Sequence, residues 1–433
     1  MTRKTSEIHR SLATSVAGGL LPAVLGATGT VVVATAVPAA SAAQLLLAWT
    51  VVGYLALTDF GLTRTASRLV SGGASPGFVV GQLWRISVPL GGILALVTLG
   101  LVQAVRRGLD GPPPPELVAL CLVPIAASIQ FPLIGTLEAQ GRFLSIAVQR
   151  TANAMFTYLL PALAFSVTED GLALAVTSIV GYRFVSAAFL FRATRVGGAV
   201  GAGLRARGDA TDGVRSLATW LGVSSVVGPA LLYADRLFLA ALSPPVELWV
   251  YYVAISELMM KTYVLPSAVL SVLFPRFVAD AASHSGRLGR LLGGRFALAS
   301  LVAAGSGFAL AYAVAQAGVL AFFEPLGSTT LTTSLVAAVA VSSTVLNWSS
   351  QVFIAYLQSR DAHRAVSLVQ LALAVPYLLA LVACVAGSSV LGVSVTWGAR
   401  IAAVWIALWW LVRVARRREP VAPGVVGAAE ETT

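Results

Sequence analysis

The sequence predicts an all-α polytopic membrane protein, with about twelve transmembrane helices in two six-helix lobes around a central cavity, and three observations predict it. Hydrophobic residues make up 57% of the 433 and charged residues only 11%, where a soluble domain carries about a quarter charged. Apolar stretches long enough to cross a hydrocarbon core of about 30 Å recur along the whole chain, separated by short polar breaks. The basic residues gather in alternate breaks, which is the positive-inside pattern of a multi-pass protein.

The apolar spans fall near 12–37, 40–60, 78–105, 116–137, 144–167, 171–191, 217–242, 248–272, 296–323, 330–357, 365–387 and 391–412. The first follows the basic start MTRKTSEIHR and resembles a secretory leader, but it is too long for one and a second span follows at once, so it is read as an uncleaved helix. If the N-terminus is cytoplasmic, the inside breaks hold Arg3, Lys4, Arg10, Arg64, Arg68, Arg142, Arg192, Arg195 and most of the later arginines, while the outside breaks hold Arg106 and Arg107. Both termini are then cytoplasmic. The longest internal break, 192–216, reads as a cytoplasmic linker dividing an N-terminal lobe, 1–191, from a C-terminal lobe, 217–413, and 414–433 reads as a cytoplasmic tail. Prolines inside the spans, Pro22, Pro89, Pro124, Pro161, Pro229, Pro266 and Pro376, each remove a backbone donor and can bend a helix.

The net charge of +11 does not indicate nucleic acid, because the arginines lie at the membrane boundary. Cys121 and Cys384 sit in apolar runs without metal-ligand or redox spacing. His9, His284 and His363 lack second ligands at useful distance, so no metal and no cofactor is expected. Neither of the two lysines, Lys4 and Lys261, follows the glycine pattern of a P-loop, so ATP hydrolysis by this chain is not expected. No catalytic constellation appears, and the short outside breaks leave no room for the large loop of a polysaccharide polymerase.

The charges inside the spans carry the functional reading, since an ionised group there faces a cavity or a partner. Arg64, Arg85, Arg150 and Arg183 all lie in the N-terminal lobe toward the cytoplasmic side. They form a cationic vestibule suited to a diphosphate, whose oxygens the arginine fork matches; the alternative for each is a side chain reaching the headgroups as an anchor. Arg150 has Asn153 one turn further along the same face. In the C-terminal lobe, Glu257 and Lys261 are spaced to pair along one helix face. The adjacent Asp235 and Arg236 point about 100° apart and each needs another partner. Asp235, Glu257 and Asp59 are candidates to bind a coupling proton or sodium ion; Asp59, just before Gly61, is equally read as a turn former.

ALTDFGLTRTASR at 56–68 resembles the acidic-Phe-Gly turn and following arginine of polysaccharide-biosynthesis flippases. ADRLFLA at 234–240, followed by YYVAISELMMKTYVLPSAVLSVLFPRF at 251–277, is similar to Wzx-type members of the multidrug/oligosaccharidyl-lipid/polysaccharide exporter superfamily. That resemblance implies alternating access by two lobes, flipping a polyprenyl-diphosphate-linked oligosaccharide from inner to outer leaflet of a bacterial cytoplasmic membrane for surface polysaccharide export. The diphosphate would rest on Arg150, Arg183, Arg85, Arg64, Asn153, Lys261 and Arg236. The implied partners are the lipid-linked glycan, membrane lipids, and a polysaccharide polymerase or glycosyltransferase, with no nucleic acid. An ion-coupled drug or small-molecule antiporter of the same superfamily is the alternative; its cationic cargo would call for an acidic cavity.

Overall fold

The computed structural model describes residues 2–57, 59, 61–106, 115–168, 171–205, 227–228, 230–239, 246–282, 289, 291–317, 330–387 and 389–418. Among them are fifteen α-helices and no strand. The N-terminal half holds α1 (Thr2–Ala36), α2 (Ala39–Leu57), α3 (Leu62–Ser71), α4 (Pro76–Arg106), α5 (Val123–Ala139, preceded by a 3₁₀ segment, Pro115–Leu122), α6 (Phe143–Ala154), α7 (Leu160–Val167), α8 (Gly171–Thr194) and α9 (Gly197–Arg205). The C-terminal half holds a helical segment over 230–239, then α10 (Val246–Lys261), α11 (Val264–Ala282), α12 (Gly294–Gln316), α13 (Thr330–Ser359), α14 (His363–Ala386) and α15 (Val390–Arg418). Eight described helices are long and apolar enough to cross a membrane, and α2 adds a shorter apolar segment, Ala40–Tyr54. Leu96, Val185, Leu310 and Leu379 stand on the outer surface, as expected where the solvent is hydrocarbon.

Two expected spans differ in detail, each for a backbone reason, and the expected linker is partly helical. The span at 144–167 is continuous but carries a π-helical turn, Met155–Leu159, between α6 and α7. Pro161 has no N–H to give the carbonyl four residues back, and that carbonyl, Thr157's, is taken instead by the indole N–H of Trp49 at 2.7 Å. The span at 248–272 is two helices: α10 ends at Lys261, and Thr262 and Tyr263 form a turn before Pro266 lies in the first turn of α11, where proline is tolerated. Within 192–216, α8 runs on to Thr194, and α9 packs against α4; residues 206–226 lie outside the described set, as does much of the expected span at 217–242.

Helices joined by short turns alternate in direction, which gathers Asp59, Gly73, Gly141, Arg195 and Asp361 at one end of the bundle, here called the basic end. Three of its turns share one solution: the helix ends with a residue in the left-handed region, at Gly73 (φ 95°), Gly141 (φ 69°) and Asp361 (φ 60°). The following amide then reaches back to the last turn, as Ala362 N–H does to the Leu357 carbonyl at 3.0 Å. Two turns use glycine, which adopts this conformation without strain. The third uses an aspartate, whose carboxylate meets Arg68 of α3 at 2.7 Å and thereby ties the two halves together. Arg64 donates to Gln358 across the same seam.

The opposite end is closed differently. One apolar core there draws on both halves, packing Trp49, Val52, Leu120 and Ile179 with Tyr233, Tyr252, Val253 and Trp397. At the basic end each apolar core stays within one half: Phe274, Phe353, Trp405 and Leu408 in the C-terminal half, and separately Leu133, Leu137 and Leu190, and Leu62 and Leu83, in the N-terminal half. The seam between halves is therefore apolar at one end and polar at the other.

The Arg68 guanidinium holds the Asp361 carboxyl below its usual range. A depressed carboxylate contributes stability above its unfolded pKa and loses it as pH falls through the folded value. A double-mutant cycle of Arg68→Gln with Asp361→Asn, read by thermal melting, is expected to give a coupling of at most about 1 kcal/mol, since the pair is partly exposed. The coupling should be constant near neutral pH and vanish well below about pH 4. Coupling that persisted in acid would show that charge is not what joins the two residues.

Candidate functional site

Between the two halves, beneath the shared apolar core, lies a cavity of about 460 Å³. The N-terminal half supplies Asp59, Arg64, Gln130, Glu138, Gln149, Arg150, Asn153, Tyr158 and Arg183 to its wall; the C-terminal half supplies Tyr233, Lys261, Tyr263, Asn347, Gln351, Gln370 and Arg400. Five cationic side chains thus face two carboxylates.

Six expected site residues are brought together here: Arg64, Arg150, Asn153, Arg183, Lys261 and Asp59. Arg150 is not free, because Glu138 at the end of α5 sits 3.7 Å from its guanidinium. Asn153 lines the wall and accepts a hydrogen bond from the Thr157 hydroxyl at 3.3 Å. Arg64 lies 5.9 Å from the Phe274 ring besides bonding Gln358. Asp59 accepts the Gly61 amide at 2.8 Å, the local turn that the sequence allowed, with Gly61 left-handed at φ 67°.

Arg183 differs from these. It is 6% exposed, and its Nε finds no hydrogen-bond partner among the described residues. Gln130 donates to its backbone carbonyl, fixing the helix rather than the guanidinium. On the wall contributed by the C-terminal half, Arg400 of α15 also has an unpartnered Nε and lies 5.0 Å from the Tyr377 ring. A buried guanidinium N–H without an acceptor is a costly arrangement; each Nε is itself shielded from the cavity, and a ligand anion there would offset the cost by its charge.

Four expected residues are not on the cavity wall. Arg85 is exposed on the outer surface of α4, the anchoring position the sequence left open. Arg236 and Glu257 lie behind the wall, 2% and 1% exposed. Glu257 takes both Arg236 and the Lys261 ammonium, the latter at 2.6 Å. Buried charges that find opposite partners keep them, because separation would leave each desolvated and uncompensated, so Arg236 is spent on Glu257. Asp235 accepts the Tyr252 hydroxyl, and its other oxygen has no partner among the described residues. Tyr54 stands five residues before Asp59 and Tyr252 five before Glu257, yet the two acids have different roles: Asp59 shapes a turn and Glu257 anchors a charge triad.

The sequence reading omitted Glu138, the polar amides, and Arg400 as a site residue. Glu138 was detectable as a lone acid closing the fourth apolar span. The amides Gln130, Gln149, Gln351 and Gln370 carry no spacing signal and become a group only when the helices pack.

Comparison by sequence finds no matching family and no matching curated protein. Fold and cavity together define a polytopic membrane protein with a basic chamber between two helical halves. Its particular fold is that of transporters of the MOP superfamily. One such transporter from Pyrococcus furiosus, reported with a binding pocket of reverse polarity, superposes over 95% of both chains with a TM-score of 0.64 at 12% identity. A multidrug resistance MATE family transporter in its outward-facing conformation gives 0.62 over 95% of both chains at 12% identity. The MATE transporter ClbM in complex with Rb⁺ gives 0.61, covering 96% of this chain and 95% of its own, at 14% identity.

Glu257→Gln leaves Arg236 and Lys261 buried with one neutral acceptor. The expected cost is about 3–5 kcal/mol, read as a fall of several degrees or more in the melting temperature of purified protein. A variant melting with the wild type would show that the triad is not a structural anchor.

Proposed function

We propose that this chain is a transporter that carries a phosphate-bearing lipid-linked saccharide across the membrane, holding the headgroup in the cavity between the halves and exposing it to each side in turn. The observation that carries this reading is the pair Arg183 and Arg400: one from each half, both on the cavity wall, and neither in an ion pair with a carboxylate among the described residues. A diphosphate is bidentate and doubly charged, which suits arginine forks converging from two sides. The remaining wall of amides and hydroxyls, Asn347, Ser350, Gln351 and Gln370, offers both donors and acceptors without charge, as sugar hydroxyls require.

The alternative is a cation exporter, for which the fold is equally suitable, since relatives in shape include multidrug resistance transporters. The balance of charge favours the anion: Glu138 is engaged by Arg150, and Asp59 by its own turn. In this reading the basic end faces the cytoplasm of a bacterial cell, in accord with the positive-inside rule, and a polymerase or glycosyltransferase is the partner class. Ion coupling falls to Asp235 or Asp59, because Glu257 already holds two cations.

Binding of inorganic pyrophosphate to purified protein, followed by calorimetry, tests the substrate class. Arg183→Ala and Arg400→Ala should each weaken it about tenfold or more, the worth of a charge-assisted hydrogen bond. Flipping of a fluorescent polyprenyl-diphosphate saccharide in proteoliposomes should fall in parallel. Wild-type protein that ignores pyrophosphate but binds tetraphenylphosphonium would overturn the proposal in favour of the cation exporter.

A further inference from the structure

The Lys261 ammonium does more than neutralise Glu257. It lies 3.3 Å from the centre of the Tyr158 ring and 5.8 Å from that of Trp49. These two rings meet edge to face at 5.2 Å. Two aromatic walls and a carboxylate behind them are the recognition chemistry of an organic cation. The walls belong to the N-terminal half and the lysine to the C-terminal half, so the cage is completed across the seam.

Its parts are held individually. The Trp49 indole is fixed by its bond to the Thr157 carbonyl that Pro161 leaves open, and the π-helical turn carries Tyr158. On α1, Gly26 leaves room for the lysine stem, since a Cβ there would stand 2.9 Å from its Cδ; one turn on, Gly29 leaves room for the Tyr158 backbone. Both Tyr158 and Lys261 also line the main cavity, so the cage opens onto the path of the cargo.

We propose that Lys261 is a specificity-determining residue: a tethered cation occupying the chain's own cation site, which closes the cavity to cationic cargo and leaves it to anions. The inference rests on the anion reading above and adds to it the residue that excludes the alternative. A free organic cation would have to displace an ammonium that is covalently attached and therefore always present at high local concentration, while also entering a cavity of net positive charge. With Lys261 cut back to alanine, Glu257 keeps Arg236 and loses its second partner, and the cage stands empty with both rings in place.

The probe is n-propylammonium, the part of the lysine side chain that alanine lacks, added to purified wild type, Lys261→Ala and Lys261→Arg. Lys261→Ala should bind it saturably, with a melting temperature rising by several degrees as it binds. The wild type and Lys261→Arg should not respond, and Lys261→Ala proteoliposomes should gain uptake of tetramethylammonium that the wild type lacks. Lys261→Ala that folds only when the amine is present supports the proposal equally. The proposal is overturned if the wild type binds the amine as well as the variant does, if a folded Lys261→Ala does not bind it, or if the variant fails to fold with and without the amine while Lys261→Arg folds. Pyrophosphate binding is measured beside it: its absence from wild type, with the amine result intact, removes the anion reading and leaves the cage standing.

Discussion

Glu257 is the charge on which the arrangement of the C-terminal half depends. A carboxylate that is 1% exposed in the middle of a membrane protein is sustainable only with opposite charge in contact, and here it takes two cations at once. That choice places Arg236 against α10 from the helical segment over 230–239, with its guanidinium 4.5 Å from the Tyr233 ring. It sets the side-chain direction of Lys261 at the end of α10, and it removes the most deeply buried acid of that half from the cavity. The positive character of the chamber follows by subtraction. The acids that could have balanced its arginines are engaged behind the wall, in a turn, or on Arg150, and Arg183 and Arg400 are left without an ion pair among the described residues.

Backbone accounting shapes the other side of the same site. In hydrocarbon every carbonyl needs a donor, so a proline inside a span obliges some neighbour to supply one. Pro161 does this to Thr157, and the donor recruited is Trp49. Pro132 does the same to Ser128, whose carbonyl accepts the Ser87 hydroxyl at 2.9 Å. In both cases the missing hydrogen bond becomes a contact between helices, and the first of them fixes one wall of the cage around Lys261. These two prolines are therefore not simply bends: each exports an unsatisfied carbonyl that cross-links two helices.

The sequence made the class of fold legible because hydropathy and charge are local quantities that a bilayer reads directly: a twenty-residue apolar run has few alternatives. The positions of Arg64, Arg150, Asn153 and Arg183 were legible for a related reason, since charges rare enough to name in a membrane sit where a cavity or partner exists. What stayed hidden was pairing between distant segments. Nothing near Arg236 in the chain announces that Glu257 will claim it, and nothing near Arg85 separates a lipid-facing from a cavity-facing side of α4. The short α3 was hidden because 62–71 is amphipathic and polar, invisible to a search for spans. The break at Thr262–Tyr263 was signalled by Pro266, but apolar residues on both sides of it read as one span.

The two ends of the seam are built from interactions of different kinds. At the far end, a shared core of large aromatic and aliphatic side chains joins them; in lipid such packing is held by shape and close contact, and opening it exposes Trp49, Tyr233 and Tyr252 together. At the basic end the polar ties are Arg68 with Asp361, a partly exposed pair that water can replace at little loss, and Arg64 with the buried Gln358, beside the packing of α1 along α11. Between the two ends the cavity wall is unevenly balanced: Arg150 has Glu138 beside it, whereas Arg183 and Arg400 are in no ion pair among the described residues. Two cations of that wall reach across the seam, Arg64 to Gln358 and Lys261 to the rings of Tyr158 and Trp49, so the charge balance of the chamber is set jointly by the two halves.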